Sequence, residues 1–166
     1  MTLRPPVLFD KSHKTSTFDC GSPPLNDFLI RFALANNASG ASKTFAATRD
    51  EEVVGYYSLC TASAEADAVP SRIIKGLPRN PIPLLLLARL AVDLSEQKGG
   101  IGKGLLKDAF LRCAQAADIV GIRALLVHAK DENAKSYYLK FGFEPSPIDE
   151  RHLYLLMKDL KENLKK

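Results

Sequence analysis

The densest group of residues able to bind a charged ligand is Gln97-Lys98-Gly99-Gly100-Ile101-Gly102-Lys103-Gly104. Its four glycines carry no Cβ, so main-chain N–H groups can approach a ligand closely, and a helix start there adds unpaired donors and a positive dipole end. That combination suits a phosphate or diphosphate. The spacing excludes two common phosphate loops. A Walker loop needs Gly-Lys-Ser/Thr after four intervening residues, whereas Lys103 is followed by Gly104. A dinucleotide fingerprint needs G-x-G-x-x-G, and Gly100-Ile101-Gly102 continues as Lys103-Gly104-Leu105. His13, His128 and His152 lack the mutual spacing of a metal site. Cys20, Cys60 and Cys113 form no C-x-x-C pair, so no metal is expected.

A strand must bring the chain into this loop and a helix must carry it out. Leu84 to Val92 is almost continuously apolar, the pattern of a strand buried on both faces, and Arg89 interrupts it. From Lys103 to Ala117, Leu105, Leu106, Ala109, Phe110, Cys113, Ala114 and Ala117 make one helix face. Ile122 to His128 is the next strand, and strand, crossover helix, strand is the unit that makes a parallel pair. Asp131 can cap a second helix running to Lys140, with Gly142 suited to a left-handed stop. His152 to Met157 supplies a last strand, and Lys158 to Lys166 is expected to fray. Upstream, Ser22 and Pro23 can open a helix with Leu25, Phe28, Leu29, Phe32 and Ala33 buried and Arg31 outside. Phe45–Thr48 and Val53–Leu59 read as a hairpin. Thr61 to Pro83 reads as a loop with one helical turn near Ser71 to Lys75. The order implies an α/β class: a mixed sheet, antiparallel in its first half and with a parallel junction, flanked by helices.

With 166 residues, 46% of them hydrophobic, the chain suffices for one full core and not two, so a single domain over residues 1–166 is expected. No apolar run approaches the roughly 18 to 20 residues of a membrane helix, and MTLRPPVLFDKS lacks a signal peptide's apolar centre. A cytoplasmic protein with reduced cysteines is expected, with no membrane contact. Twenty-three Lys and Arg against 19 Asp and Glu, a net +4, permit a polyanionic partner without requiring one.

The loop's Gln97-x-x-Gly100-x-Gly102 resembles the pyrophosphate loop, Arg/Gln-x-x-Gly-x-Gly/Ala, of the GCN5-related N-acetyltransferases (GNAT), which hold acetyl-CoA. Downstream, Tyr138-x-x-x-Gly142-Phe143 resembles the core of that family's N-x-x-A-x-x-x-Y-x-x-x-G-F pattern. Ala134 directly follows Asn133 instead of standing three positions later. A narrower resemblance covers most of the chain. Phe18-Asp19-Cys20-Gly21, Val54-Gly55-Tyr56-Tyr57-Ser58-Leu59, Leu90-Ala91-Val92-Asp93 and Tyr137-Tyr138 before Phe141-Gly142-Phe143 are similar to the acetyltransferase toxins of type II toxin-antitoxin pairs.

The resemblance implies a GNAT fold whose parallel junction is splayed to admit the cofactor. It implies that Leu90, Ala91 and Val92 bind pantetheine through the backbone, that Gln97, Lys98, Gly99, Gly100, Ile101, Gly102, Lys103 and Gly104 hold the diphosphate, and that Asn133 and Phe141 also contact acetyl-CoA. Tyr138 is implied as the catalytic phenol near the sulfur. The implied function is acetylation of the α-amino group of aminoacyl-tRNA, which inhibits translation, with a ribbon-helix-helix antitoxin as partner and a homodimer as assembly. Arg31, Arg72, Lys75, Arg79 and Arg89 are then candidates for tRNA phosphates, although Arg89 could equally form an internal ion pair and the others an ordinary solvated surface. Asp93 is the nearest candidate base, but a strand end favours a turn or cap role. A lysine acceptor near pKa 10.4 would be almost wholly charged at neutral pH, whereas an α-amine near 7.7 to 8.0 is already about a quarter neutral. The lack of an evident base therefore fits an α-amine acceptor. The alternatives are an acetyltransferase for a small amine or a protein N-terminus, which would act on free amines without salt-sensitive tRNA affinity, and a non-catalytic acyl-CoA-binding module, indifferent to loss of the Tyr138 hydroxyl.

Overall fold

The computed structural model describes residues 2–78 and 81–166. Its elements, in order, are β1 (Leu3–Leu8), α1 (Pro23–Asp27) running through a π-helical turn (Phe28–Phe32) into α2 (Ala33–Ser39), β2 (Lys43–Arg49), β3 (Glu52–Ala64), α3 (Ser71–Ile74), β4 (Ile82–Val92), α4 (Ile101–Ala117), β5 (Ala124–His128), α5 (Glu132–Leu139), β6 (Glu144–Pro145), β7 (His152–Leu156) and α6 (Met157–Asn163). The strands hydrogen-bond in the order β1-β2-β3-β4-β5-β7-β6. The β1–β2 and β2–β3 pairs are antiparallel, β4–β5 is parallel, and β7 is antiparallel to both β5 and β6. The mixed α/β sheet expected from the order of elements is therefore present.

The chain forms two compact units. The first comprises Met1–Cys60 with Ala88–Ala109. Its core joins Phe9, Phe18, Phe28, Leu29, Ala33, Ala46, Val53, Tyr56 and Ala91. The β2–β3 hairpin closes through Asp50 and Glu51, both at positive φ (50° and 68°), the handedness that matches the twist of the flanking strands. The expected helix after Pro23 forms, with two differences. Ser22 stands at the N-cap but its side chain makes no cap hydrogen bond. Phe32 is 54% exposed rather than buried, because Ala33 N–H bonds back five residues to Phe28 O, and the wider π turn rotates Phe32 off the apolar stripe. Strand β1 is absent from the sequence reading; Pro5 and Pro6 interrupt its pattern, and it lies at the end of the strand order, where prolines are tolerated.

The second unit comprises Thr61–Leu87 with Phe110–Lys166. Val69, Ile73, Ile82, Leu84, Ala124, Leu126 and Tyr154 form its core. Arg123 donates to the carbonyls of Ile73, Arg72 and Lys75, which satisfies the end of the short helix α3. The expected frayed tail is a correction: α6 is a docked helix, with Met157 and Leu160 buried and the Asn163 side chain donating to Phe141 O at 2.8 Å. Burial of Leu160 alone contributes about 2 kcal/mol to holding it. Asp131 caps α5 as expected, accepting from Ala134 N–H at 2.8 Å, and Gly142 takes the left-handed conformation at φ 94°. Among the described residues no helix is long and apolar enough to cross a membrane.

One coupled pair in this unit makes stability depend on pH. His128 and His152 face each other across the β5–β7 ladder, with ring centroids 4.0 Å apart and planes within 13°. The His152 Nε2 is 3.3 Å from Asp149 Oδ2. Partial burial, and next the charge that His152 can carry, hold His128 below the usual imidazole range, against a smaller upward pull from Asp149. A base so depressed stays neutral in the fold while the unfolded chain takes up a proton, so stability falls as pH drops from about 6.5 through the lowered value. The melting temperature should decline between pH 7.5 and 5.5, and His128→Phe should flatten that decline; an equally steep decline in the variant would remove the pair as its cause.

Candidate functional site

The β4–β5 ladder runs from Leu84 opposite Ala124 to Leu87 opposite Val127. Strand β4 itself continues to Val92. Ala88 to Val92 therefore have no β5 partner among the described residues, and a strand segment so released presents main-chain donors and acceptors to whatever lies along it.

The strand end is fixed by a compact network. Asp93 N–H donates to Val54 O at 2.9 Å and Leu94 N–H to Asp19 O at 2.8 Å. The Asp93 carboxylate accepts from Asp19 N–H (2.8 Å), Ser95 N–H (3.0 Å) and the Ser95 hydroxyl (2.6 Å). Burial alone would raise its pKa, but the hydrogen bonds from Ser95 and Asp19 outweigh it and hold the carboxyl below the usual range. With its lone pairs committed, Asp93 is a turn and capping residue and not a base. Gln97 braces the same end, its Nε2 donating to Val92 O at 3.0 Å and Cys20 O at 3.3 Å. Arg49 and Glu96 pair at 2.9 Å beneath the turn.

Gly55 on β3 explains how closely this end is packed. A Cβ there would lie 2.9 Å from Leu105 Cδ1, 3.1 Å from Ile101 Cγ2 and 3.3 Å from the Ala91 carbonyl oxygen. Glycine inside a strand signals such a close approach, a signal the sequence carried and the reading above did not use. Gly55→Ala should destabilise by about 1–3 kcal/mol, through overpacking against side chains and one backbone oxygen, in a denaturant titration; an unchanged midpoint would show that the packing yields.

Helix α4 begins two residues earlier than the sequence suggested, at Ile101, so Gly102 and Gly104 belong to its first turn. Gly104 N–H makes the first helical bond, to Gly100 O at 3.0 Å. The N–H groups of Ile101, Gly102 and Lys103 have no acceptor among the described residues. Gly100 has a backbone reason to be glycine, φ 89°. Gly102 and Gly104 have none: a Cβ on Gly102 would make only an ordinary 3.6 Å contact with Val92, and one on Gly104 would meet nothing. Each costs a helix about 1 kcal/mol relative to alanine. Small residues retained at that cost, beside three unpaired amides at a helix N-terminus with Lys98 and Lys103 nearby in sequence, fit a diphosphate that must come close to the backbone.

In the second unit, Tyr138 on α5 is 8% exposed. Its ring meets Phe143 edge-on at 5.4 Å and Tyr137 at 5.5 Å. Burial, with a smaller contribution from Tyr137, pushes its pKa up to about 12. No hydrogen bond ties its hydroxyl among the described residues, yet no buried side-chain N or O atom there lacks a partner, so the hydroxyl reaches solvent from a buried ring. Contrast Tyr56, whose hydroxyl donates to Leu25 O at 2.7 Å, and Tyr57, bonded to Asp108. Phe141 packs edge-on against Tyr137 and Phe110, and Asn133 is exposed on the first turn of α5.

The candidate cations separate. Arg72 is matched by Asp159 at 2.8 Å and Glu144 at 3.5 Å. Arg31 and Lys75 are exposed. Arg79 lies outside the described residues. Among the described residues Arg89 is in no ion pair: its Cζ sits 3.6 Å above the Phe28 ring. The lone arginine in an apolar strand was visible in the sequence, but its aromatic partner 61 positions away was not. Among the described residues no group of three or more His, Cys, Asp and Glu side chains could hold a metal ion.

Residues 40–145 match the family model described as an acetyltransferase (GNAT) domain. The chain is 50% identical over 147 residues to a protein of Mycobacterium tuberculosis (strain ATCC 25618 / H37Rv) called tRNA-acetylating toxin, covering 88% of this chain and 87% of the relative. Among solved structures it is similar to AtaT complexed with acetyl-methionyl-tRNAfMet, at TM-score 0.89 and 30% identity, covering 97% of this chain and 98% of that one. It is also similar to a tyrosine-to-phenylalanine mutant of the AtaT toxin bound to the C-terminus of the antitoxin AtaR and acetyl-CoA, at TM-score 0.84 and 27% identity, with both chains covered fully (100%).

Proposed function

Because the chain belongs to the GNAT acetyltransferase family, we propose that it moves the acetyl group of acetyl-CoA onto the α-amino group of aminoacyl-tRNA and so acts as the translation-blocking toxin of a toxin-antitoxin pair. The observation that carries this reading is its half-identity, over most of both chains, to the tRNA-acetylating toxin. The site residues are proposals in the same sense. The amides of Ile101, Gly102 and Lys103, with Gln97, Lys98, Gly99, Gly100 and Gly104 shaping the turn, hold the diphosphate. Main-chain groups of Leu90, Ala91 and Val92 hold the pantetheine arm, and Asn133 and Phe141 are further acetyl-CoA contacts on the family resemblance. Acetyl-CoA supplies the activated thioester; the protein supplies placement and a hydrogen-bond donor to the departing sulfur, which takes up the proton that the attacking amine sheds.

Tyr138 is that donor. With its pKa near 12, complete transfer to a thiolate whose conjugate acid lies near 8.5 would be uphill by about 5 kcal/mol. The phenol therefore donates a hydrogen bond as charge develops on the sulfur and keeps its proton through the early reaction. No carboxylate is needed as base, since an α-amine is already substantially neutral near pH 7.4 and an aminoacyl ester more so. Among the described residues, Arg31, Lys75 and Arg89 are in no ion pair and are the cations proposed to meet tRNA phosphate, while Arg72 is already neutralised.

The reading extends, on the toxin resemblance, to a single domain over residues 1–166, to a homodimer in the cytoplasm, and to an antitoxin of the ribbon-helix-helix type; AtaT bound to the C-terminus of the antitoxin AtaR supports an antitoxin as partner. The test is to incubate total charged tRNA with the protein and labelled acetyl-CoA and to identify the labelled product. N-acetyl-aminoacyl-tRNA is expected. Label confined to free small amines, or no transfer at all, would reject the acceptor.

A further inference from the structure

We propose that Arg89 is the anchor for the phosphodiester nearest the charged 3′ end of the acceptor, held ready by its stack on Phe28; this rests on the aminoacyl-tRNA reading above. Arg89 is partly buried on β4. Its guanidinium lies 3.6 Å from the Phe28 ring centroid, and among the described residues it has neither a carboxylate within ion-pair distance nor a hydrogen-bond acceptor. A guanidinium taken partly out of water without an anion is costly, and a cation–π contact offsets only part of that cost. The stack also fixes one face of the group and leaves its in-plane fork of N–H donors open, the geometry that grips a phosphate through two oxygens. Phe28 is itself pinned: it is 5% exposed and stacks on Tyr56, whose hydroxyl is tied to Leu25 O. The arginine's field is felt there, pulling the pKa values of Tyr56 and Cys60 downward against the larger upward push of burial.

Position supplies the choice of ligand. Arg89 and Ala91 are two residues apart on the strand, so they share a face and stand ~7 Å apart along it. Both lie in Ala88–Val92, the stretch of β4 without a β5 partner. An amino acid esterified to a 3′ terminus has no free carboxylate, so the first anion behind its amine is a phosphodiester one nucleoside away. A cation set back by that distance from the strand end places the amine at Ala91–Val92 while the fork holds the phosphate. Arg89 is thus a positioning residue, acting on where the acceptor sits and not on the transferring atoms.

The test compares wild type, Arg89→Ala and Arg89→Lys on two acceptors: charged tRNA, and a 3′-aminoacylated adenosine with no phosphate. On charged tRNA, Arg89→Ala should raise KM at least tenfold with the KM for acetyl-CoA unaltered. The plot of log kcat/KM against log salt should become shallower by about 0.7, the release expected for one single-strand phosphate contact. On the phosphate-free acceptor the penalty should shrink below twofold. Arg89→Lys, which keeps the charge but not the fork or the flat stack, should restore the salt slope and recover KM only in part, and it serves if the alanine variant is unstable. Equal penalties on both acceptors, or an unaltered salt slope, would mean that Arg89 merely packs against Phe28 and would overturn the proposal. Failure of wild type itself to acetylate charged tRNA would instead reject the acceptor, a result visible before any variant is compared.

Discussion

Tyr138→Phe should lower the rate of acetyl transfer by a hundredfold or more while leaving the dissociation constant for acetyl-CoA within about twofold of wild type. The size follows from the usual contribution of a positioned proton donor, roughly 10²- to 10⁴-fold. The selectivity follows from the structure. The ring's edge-on contacts with Phe143 and Tyr137 involve its carbon frame, which phenylalanine reproduces. Because the hydroxyl makes no hydrogen bond among the described residues, its removal strands no buried partner there, and stability should stay within about 1 kcal/mol. Stopped transfer with intact cofactor binding and an unshifted melting curve is therefore the expected triad, and expression of the variant should no longer arrest growth. Transfer at the wild-type rate would remove Tyr138 from the chemistry and favour a different donor.

Gly102 should show the opposite separation, a gain in stability with a loss of cofactor. Gly102→Ala places a methyl group in ordinary contact with Val92, at 3.6 Å, and exchanges a poor helix former for the best one, so unfolding should become harder by about 0.5–1 kcal/mol. The same methyl stands beside the unpaired amides of Ile101 to Lys103, so affinity for acetyl-CoA should drop about tenfold. Gly102→Glu adds length and a negative charge facing a diphosphate, and binding should fall by at least a hundredfold. The separation is measurable by calorimetry of the same two samples. An alanine variant that is stabilised and still binds fully would mean that the first turn of α4 does not cradle the ligand.

The parts of the fold set by local pattern were legible in the sequence. The β2–β3 hairpin, the apolar β4, the face of α4 and the capped α5 all follow from period and punctuation, and all are present. The glycine loop was legible as a bare-backbone turn opening a helix, since that needs only missing Cβ atoms and the apolar period that follows. What escaped depends on partners distant in sequence. Residues 158 to 166 look like a solvated basic tail until Met157 and Leu160 find a core to enter. Phe32 fits a helical stripe until one π turn changes the phase. The cap role favoured for Asp93 is present through Ser95 two residues on, but the bond it accepts from Asp19, 74 positions earlier, could not be read from the sequence. Arg89 could be marked as an anomaly in its strand, but that it rests on a ring rather than on a carboxylate is a fact of tertiary structure.

The outermost strand of the sheet has a consequence for how copies of this chain can meet. Strand β1 contains Pro5 and Pro6 at its centre and shifts register against β2 between Arg4 and Val7. Neighbouring residues of a strand point their N–H groups to opposite sides, so one of these two prolines leaves the outer margin without a donor that a newcomer strand would need. A strand added along β1 would therefore lack a hydrogen bond it needs, so the proline pair guards this border of the sheet against edge-to-edge addition.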